Sequence, residues 1–330
     1  RAEASAKEFG VPDARVYTDY HDLLEEQEID VVYVLTPNVA HCEISVAALE
    51  AGKNVMCEKP MAATVQDAQR MMDAWKKSGK LFTIGYQNRY RPDSQTLKRL
   101  CEEGELGEIY YAQAHALRRR GVPTWGVFTD KSKQGGGPLI DIGTHSLDLT
   151  LWMMDNYQPA AVTGVAFQKL GTTLAPGNQG NAMGAWDPKT YEVEDSAFAF
   201  VTMKNGALIT IDASWVLNST EERCASAYLC GTGAGAELTG VGGANDGKLY
   251  LNKVMGNKQV VIDVNTSAGG VDLFPGKTVQ AGDVECKVWL DALDGVGQLV
   301  VQPEQAFTVT KILDAVYQSA ATGRQVVFED

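Results

Sequence analysis

Three short, evenly spaced apolar runs constrain this chain more than any other feature. They are Val31-Val32-Tyr33-Val34-Leu35, Asn54-Val55-Met56-Cys57-Glu58 and Leu81-Phe82-Thr83-Ile84. Unbroken, β-branched runs of this length are what strands buried on both faces require. Between them lie helical segments. One follows Thr36-Pro37-Asn38 and reaches Ala51, with Ile44, Ala47, Ala48 and Ala51 as its apolar positions and Gly52 just past its end. The other is opened by Thr64, with Asp67 three residues on, and ends at Gly79. Strand, helix, strand, helix, strand predicts a parallel sheet wrapped in helices. Ahead of it, residues 1–9 read as the end of a helix stopped by Gly10, and a second helix is expected over 18–27 with Thr18 as N-cap.

Past Gly85 the rhythm changes. A helix is expected over 93–103, followed by an extended run from Ile109 to Leu117. Strands near 161–168, 192–203, 206–216, 224–230 and 248–253 then predict a mostly antiparallel region, with turns such as Lys204-Asn205-Gly206. A helix from Pro138 to Met154 and a long loop from Gly171 to Thr190 interrupt it, and a last helix covers 304–321. At 330 residues two domains are expected, 1–86 of α/β class and 87–330 of α+β class.

Charge narrows the partners. A formal net charge of -13 excludes the basic footprint of a nucleic-acid binder and disfavours anionic membrane surfaces. No apolar run approaches the length of a membrane span. Six scattered cysteines without a CxxC pair are the usage of a reducing compartment, so a cytoplasmic protein is expected.

Two constellations carry chemistry. The second run ends in Glu58-Lys59-Pro60, and open α/β sheets bind ligands at the carboxyl ends of their strands. Pro60 keeps Lys59 extended and constrains the bond between them, for which the cis isomer is open. Taken alone, such a lysine is an ordinary solvated side chain. The second constellation is Gly135-Gly136-Gly137-Pro138 leading to Asp141 and His145, four apart on one helical face. A carboxylate beside an imidazole sets its tautomer and raises its basicity. A metal reading needs a third ligand from elsewhere, and none is expected.

Further candidates sit at strand ends and in loops. Thr36, Pro37, Asn38 and His41 follow the first strand; Gln87, Asn88 and Arg89 follow the third. Arg118 opens the run Arg118-Arg119-Arg120, which reads either as an anion site or as a solvated edge. Trp125 and Trp186 occupy loops, where an indole packs either on a sugar face or on its own neighbours.

Together these motifs resemble the oxidoreductase family named for glucose–fructose oxidoreductase, inositol dehydrogenase and rhizopine catabolism. The resemblance rests on Thr36-Pro37-Asn38 with His41, Ala48 to Lys53, Glu58-Lys59-Pro60, Gly136-Gly137 through His145, Gly206, and Ala315 to Ala320. It implies an N-terminal Rossmann-type domain holding NAD or NADP and a C-terminal open-sheet domain that forms subunit contacts, hence a homo-oligomer. It also implies a sugar, glycoside or cyclitol substrate, with Lys59, Asp141 and His145 matching the catalytic residues. By the same resemblance Thr36, Pro37, Asn38, His41, Glu58, Lys59, Gln87 and Trp186 face the cofactor, and Lys59, Asn88, Arg89, Arg118, Trp125, Asp141 and His145 face the substrate. The run Arg118 to Pro123 followed by Trp125 to Phe128 is similar to members that oxidise glycosides at a ring secondary alcohol, with carbon 3 as one position.

One departure from the pattern bears on the cofactor. The opening strand, G-x-G-x-x-G turn and second strand of the family are not in these residues, so an N-terminally incomplete unit is expected and NAD versus NADP is unreadable. Gly231-Thr232-Gly233-Ala234-Gly235 has the wrong spacing and context, and reads as a turn. Two alternatives to a dehydrogenase stay open: a glycosidase acting through transient oxidation by retained cofactor, and a non-catalytic cofactor-sensing regulator. Either Lys59 or His145 serves as proton acceptor on this reading.

Overall fold

The computed structural model describes residues 2–11, 13–173, 180–240, 247–266 and 280–329. Helices α1 (Ala2–Phe9) and α2 (Tyr20–Leu24) precede β1 (Val31–Val34), α3 (His41–Glu50), β2 (Asn54–Glu58), α4 (Val65–Ser78) and β3 (Phe82–Gly85). Next come α5 (Pro92–Glu102), β4 (Ile109–Leu117), α6 (Lys131–Gln134), α7 (Thr144–Met154), β5 (Pro159–Phe167), β6 (Ser196–Met203) and β7 (Leu208–Ser214). Strands β8 (Arg223–Gly231), β9 (Gly235–Leu238), β10 (Leu249–Met255) and β11 (Lys258–Val264) follow, then α8 (Ala281–Leu293), α9 (Pro303–Thr322) and β12 (Val326–Val327).

Strands β1, β2 and β3 form a parallel sheet in that order, with Val34 opposite Cys57 and Cys57 opposite Ile84. Val34, Val55, Cys57, Phe82 and Ile84 are all but sealed from water, which is why the runs are continuously apolar. The Thr64 hydroxyl accepts from the Asp67 N–H and caps α4, as the sequence predicts, and Gly79 ends that helix in the left-handed region. Because the strands lie in register, their carboxyl ends open along one line. Thr36, Lys59 and Tyr86 stand there.

The second sheet has nine strands in the order β11-β10-β9-β8-β4-β7-β6-β5-β12. It is antiparallel except between β4 and β7. One face packs on α7 and α9. The other carries Val165, Phe167 and Phe200 exposed, strand residues that alternate with buried Ala197, Ala199 and Val201. The glycine cluster at 231–235 turns β8 into β9, as expected.

Several expectations need correction. The helix expected over 18–27 spans only Tyr20–Leu24 and is capped by Asp19, not Thr18, since the Asp19 carboxylate accepts from the His21 N–H. The strand expected over 192–203 starts at Ser196, and Pro138 to Met154 is not one α-helix but a π-helical turn, Leu139–Gly143, running into α7. Helix α8 and strands β9 and β11 had no counterpart in the sequence reading. Part of the long loop expected from Gly171 to Thr190, residues 174–179, lies outside the described residues.

Candidate active site

Lys59 leaves β2 at the strand's carboxyl end, and the Lys59–Pro60 bond is cis. Its backbone N–H donates to Glu58 Oε2 at 3.1 Å. Its ammonium reaches across to the π-helical turn, donating to the carbonyl of Asp141 at 2.8 Å and to Asp141 Oδ1 at 2.9 Å. An ammonium has three N–H groups. Two are therefore committed to Asp141, and one is left for another acceptor. Residues 82 positions apart in sequence are joined here by folding alone.

The turn that carries Asp141 is held from outside. Glu194 accepts from the N–H of Gly137 at 2.8 Å and of Leu139 at 3.2 Å, and from the Tyr317 hydroxyl at 2.8 Å. A β-carbon on Gly136 would meet the Tyr317 oxygen at 2.1 Å, and one on Gly137 would meet the Glu194 carbonyl at 2.2 Å. Only glycine permits that approach. π-Turns cluster at functional sites because they re-aim side chains inside an otherwise regular helix.

His145 sits just after the turn, with the ring of Tyr86 edge-on at 6.4 Å. The Tyr86 hydroxyl is itself bonded to Thr144 Oγ1 at 2.9 Å. His145 Nδ1 is buried without a hydrogen-bond partner. Burial, then the Lys59 charge, push its imidazole down to about 3, against the opposing pull of Asp141, with Arg118 adding to the depression. The ring is therefore neutral far below neutral pH. An ordinary histidine titration near 6.5 does not apply here.

Asp141 behaves in the opposite sense. Burial alone would raise its carboxyl, yet the neighbouring Lys59 ammonium outweighs burial and holds it below the ordinary aspartate range. Its second oxygen, Oδ2, accepts from the indole N–H of Trp215 at 3.1 Å. Burial raises Glu58 despite the Lys59 charge beside it. A small cavity of about 180 Å³ lies at the strand ends, lined in part by Leu35, Glu58, Gly85 and Glu285. Burial, then the charges of Glu58 and Asp148, push Glu285 up to about 8.

Not every candidate joins this site. His41 is fully buried, with Nδ1 2.8 Å from the Pro60 carbonyl and Nε2 2.9 Å from the Thr36 carbonyl, so no ring nitrogen remains for a cofactor. It ties the end of β1 to the end of β2. Asn38 donates to the Gln134 carbonyl at 3.0 Å and links this end of the sheet to α6. Arg89 is sealed from water and cannot meet a substrate. Its five donors all have partners in Asp148, Val300, Gln305 and Tyr157. Trp186 is buried too and spends its indole N–H on the Gly171 carbonyl at 2.7 Å.

The remaining candidates keep a surface toward the site or toward solvent. Thr36 and Pro37 are exposed beyond β1, and Gln87 and Asn88 are half-buried beyond β3. Gln87 Oε1 is buried and unpartnered, an acceptor without a donor at the place where a ligand of this sheet would lie. Arg118 is half-buried, bonds the Gly121 carbonyl at 3.1 Å, and its charge is felt at both Asp141 and His145. Trp125 is exposed and edge-on to Phe128 at 5.7 Å.

Trp215, Glu194 and Tyr317 escaped the sequence reading. Nothing in the local pattern marks a tryptophan just past a strand as the donor to a carboxylate 74 positions away. The family resemblance placed Tyr317 in a matching segment but gave it no partner.

Comparison with known proteins agrees with this fold. Residues 1–86 match an oxidoreductase family with an NAD-binding Rossmann fold, and residues 94–237 match the GFO/IDH/MocA C-terminal domain. D-glucoside 3-dehydrogenase of Escherichia coli (strain K12) is 36% identical over 326 residues, 99% of this chain and 86% of that protein. Inositol 2-dehydrogenase of Salmonella typhimurium is 32% identical over 176 residues, 53% of this chain and 50% of that protein. Among solved structures, an oxidoreductase domain protein from Kribbella flavida superposes with a TM-score of 0.83 at 22% identity, covering 99% of this chain and 87% of that one. Levoglucosan dehydrogenase in complex with NADH and levoglucosan gives 0.80 at 23% identity, covering 99% and 86%. At such identities these structures speak for the fold, while the match to the glucoside dehydrogenase along nearly all of this chain speaks for descent. The chain belongs to the family of NAD-binding oxidoreductases named for glucose–fructose oxidoreductase, inositol dehydrogenase and rhizopine catabolism.

Proposed function

We propose that this protein is an NAD(P)-dependent dehydrogenase that oxidises a secondary ring hydroxyl of a sugar, glycoside or cyclitol, with carbon 3 of a glucoside as the leading position. The observation that carries the reading is the convergence of Lys59 on Asp141 next to a neutral His145, at the carboxyl ends of a parallel sheet. The likeness to a D-glucoside 3-dehydrogenase along nearly all of this chain supports the substrate class.

The residues present suit the nicotinamide end of the cofactor. Thr36 and Pro37, the strand end at Glu58, and the unpartnered Gln87 Oε1 would hold it, and Gln87 suits a carboxamide N–H donor. Bound there, the nicotinamide supplies the hydride acceptor. The chain's own side chains do the rest. Lys59 uses its free N–H to hold the reacting oxygen and to stabilise the charge that develops on it as the proton leaves. His145, neutral and with an unpartnered Nδ1, accepts that proton. Asp141 fixes Lys59 through two contacts and supplies a negative charge that offsets part of the cost of protonating His145. Arg118, Asn88 and Trp125 would line the substrate side.

Other readings complete the picture. The exposed Val165, Phe167 and Phe200 on the open face of the large sheet support a homo-oligomer built through that face. All six cysteines are free, which supports a cytoplasmic home. No helix among the described residues is long and apolar enough to cross a membrane.

The test is a panel of sugars, cyclitols and glucosides offered to the full-length protein with NAD and with NADP. The expected result is reduced cofactor formed in equal amount with a product lighter by one H₂. Cleaved glycoside without net cofactor reduction would replace this reading with oxidation-assisted hydrolysis.

A further inference from the structure

The carboxylate of Asp141 has two oxygens and two different donors. Lys59 takes Oδ1, and the indole N–H of Trp215 takes Oδ2 at 3.1 Å. An indole offers one donor and no acceptor. Trp215 is among the largest fully buried side chains of the protein, and its single polar atom is spent on this one carboxylate.

The backbone of Trp215 is pinned by two hydrogen bonds, and one aromatic ring packs against the indole. The Trp215 backbone N–H donates to the Asp195 carbonyl at 3.1 Å, and the Trp215 backbone carbonyl accepts from the Gly121 N–H at 2.8 Å. Asp195 is itself clamped, accepting at Oδ2 from the N–H groups of Lys169, Leu170 and Gly171. Phe128 meets the indole edge-on at 6.3 Å. Burial and these contacts fix the direction of one N–H.

We propose that Trp215 is a positioning residue: its N–H holds Asp141 Oδ2, so that Oδ1 and the backbone carbonyl can hold Lys59 with its remaining N–H aimed at the reacting oxygen. The proposal rests on the dehydrogenase reading above. Trp215 touches neither substrate nor cofactor in this scheme. Without its N–H, Asp141 keeps only Lys59, is free to turn about its side-chain bonds, and its anion loses a stabilising donor. Lys59 then loses its fixed geometry, and small misplacements of reacting groups cost up to about 100-fold in rate.

The experiment compares wild type with Trp215→Phe, which keeps a ring without the donor. A second form carries benzothienylalanine at position 215 alone, which keeps the full bicyclic shape and replaces N–H by sulfur. Turnover is read on a verified substrate. Asp141 titration is read independently by carboxyl ¹³C NMR without sugar, its resonance assigned by comparison with Asp141→Asn. The expected result is a roughly 10- to 100-fold fall in kcat with little change in substrate KM. The Asp141 midpoint should move up in both forms, and the acid limb of kcat should move with it. If wild type is active and the benzothienyl form matches it in kcat and in the Asp141 midpoint, the proposal is overturned and the dehydrogenase reading stands. If wild type reduces no cofactor with any sugar, the reading fails and takes the catalytic meaning of Trp215 with it.

Discussion

Two cation–carboxylate pairs join the small sheet to the same helical segment, and they differ in one respect. Arg89 and Asp148 are both sealed from water, at 0% and 1% side-chain exposure. Lys59 and Asp141 keep 16% and 12%. Each cation follows a strand of the parallel sheet, and the two carboxylates lie seven residues apart in sequence. Yet the Arg89 pair is saturated, with every guanidinium donor used and the Trp152 ring against the cation at 5.4 Å. The Lys59 pair is unfinished: it has a spare donor, a buried histidine nitrogen without a partner beside it, and an opening to solvent. Saturation marks a structural pair. An incomplete one, held rigidly, marks a place for something else to bind.

The largest effect should come from breaking the saturated pair. Asp148→Ala leaves a guanidinium buried with no counter-charge, which typically costs about 3–5 kcal/mol. Urea unfolding should show that loss as a lower midpoint. A midpoint unchanged from wild type would mean that Arg89 escapes to solvent and that the two pairs are not different in kind.

His145 sharpens the comparison through pH. With its folded pKa near 3 and an unfolded value near 6.5, the unfolded chain takes up a proton that the folded site refuses. His145 therefore subtracts stability as pH falls below about 6.5, an effect that grows until the pH nears the folded value. Melting temperatures measured at pH 7 and pH 4.5 should fall less in His145→Ala than in wild type. In the same range kcat/KM should show no histidine limb near neutrality, since the free enzyme's ring stays neutral there. A limb at about 6.5 that vanishes in His145→Ala would show an ordinary, solvated imidazole instead.

Both pairs also show what a sequence can and cannot announce. Lys59 stood out as a candidate because β2 is an apolar run that ends in Glu58-Lys59-Pro60, where open α/β sheets place ligands. Asp141 and His145 were candidates from their spacing behind a glycine run, and the family resemblance, not the spacing, tied them to Lys59. Arg89 was a candidate for the same reason as Lys59: each follows a strand end. What distinguishes them is Asp148, 59 residues away, and no local pattern reports a partner at that separation. Trp186 and Trp215 make the same point with opposite outcomes, since each indole's role is set by one acceptor, the Gly171 carbonyl or the Asp141 carboxylate. Helix α8 was missed because the residues it buries are Glu285, Trp289 and Ala292, too sparse an apolar stripe to read as periodic. The strands of the small sheet were found for the opposite reason, since β2 and β3 are mostly buried on both faces and β1, although Tyr33 is exposed, is a continuous apolar run.

The central claim is that the unfinished pair is chemical and not structural, and Lys59→Ala tests it when turnover and unfolding are measured on the same preparation. On a glycoside that the wild-type protein oxidises, turnover should fall by about 100-fold or more, as expected when oxyanion stabilisation is removed. The unfolding midpoint should fall by less than in Asp148→Ala, because this pair keeps 16% and 12% exposure and Trp215 still donates to the remaining carboxylate. A variant that keeps near-normal turnover, or one that loses activity only in step with its stability, would contradict the account and make Lys59–Asp141 a second structural pair.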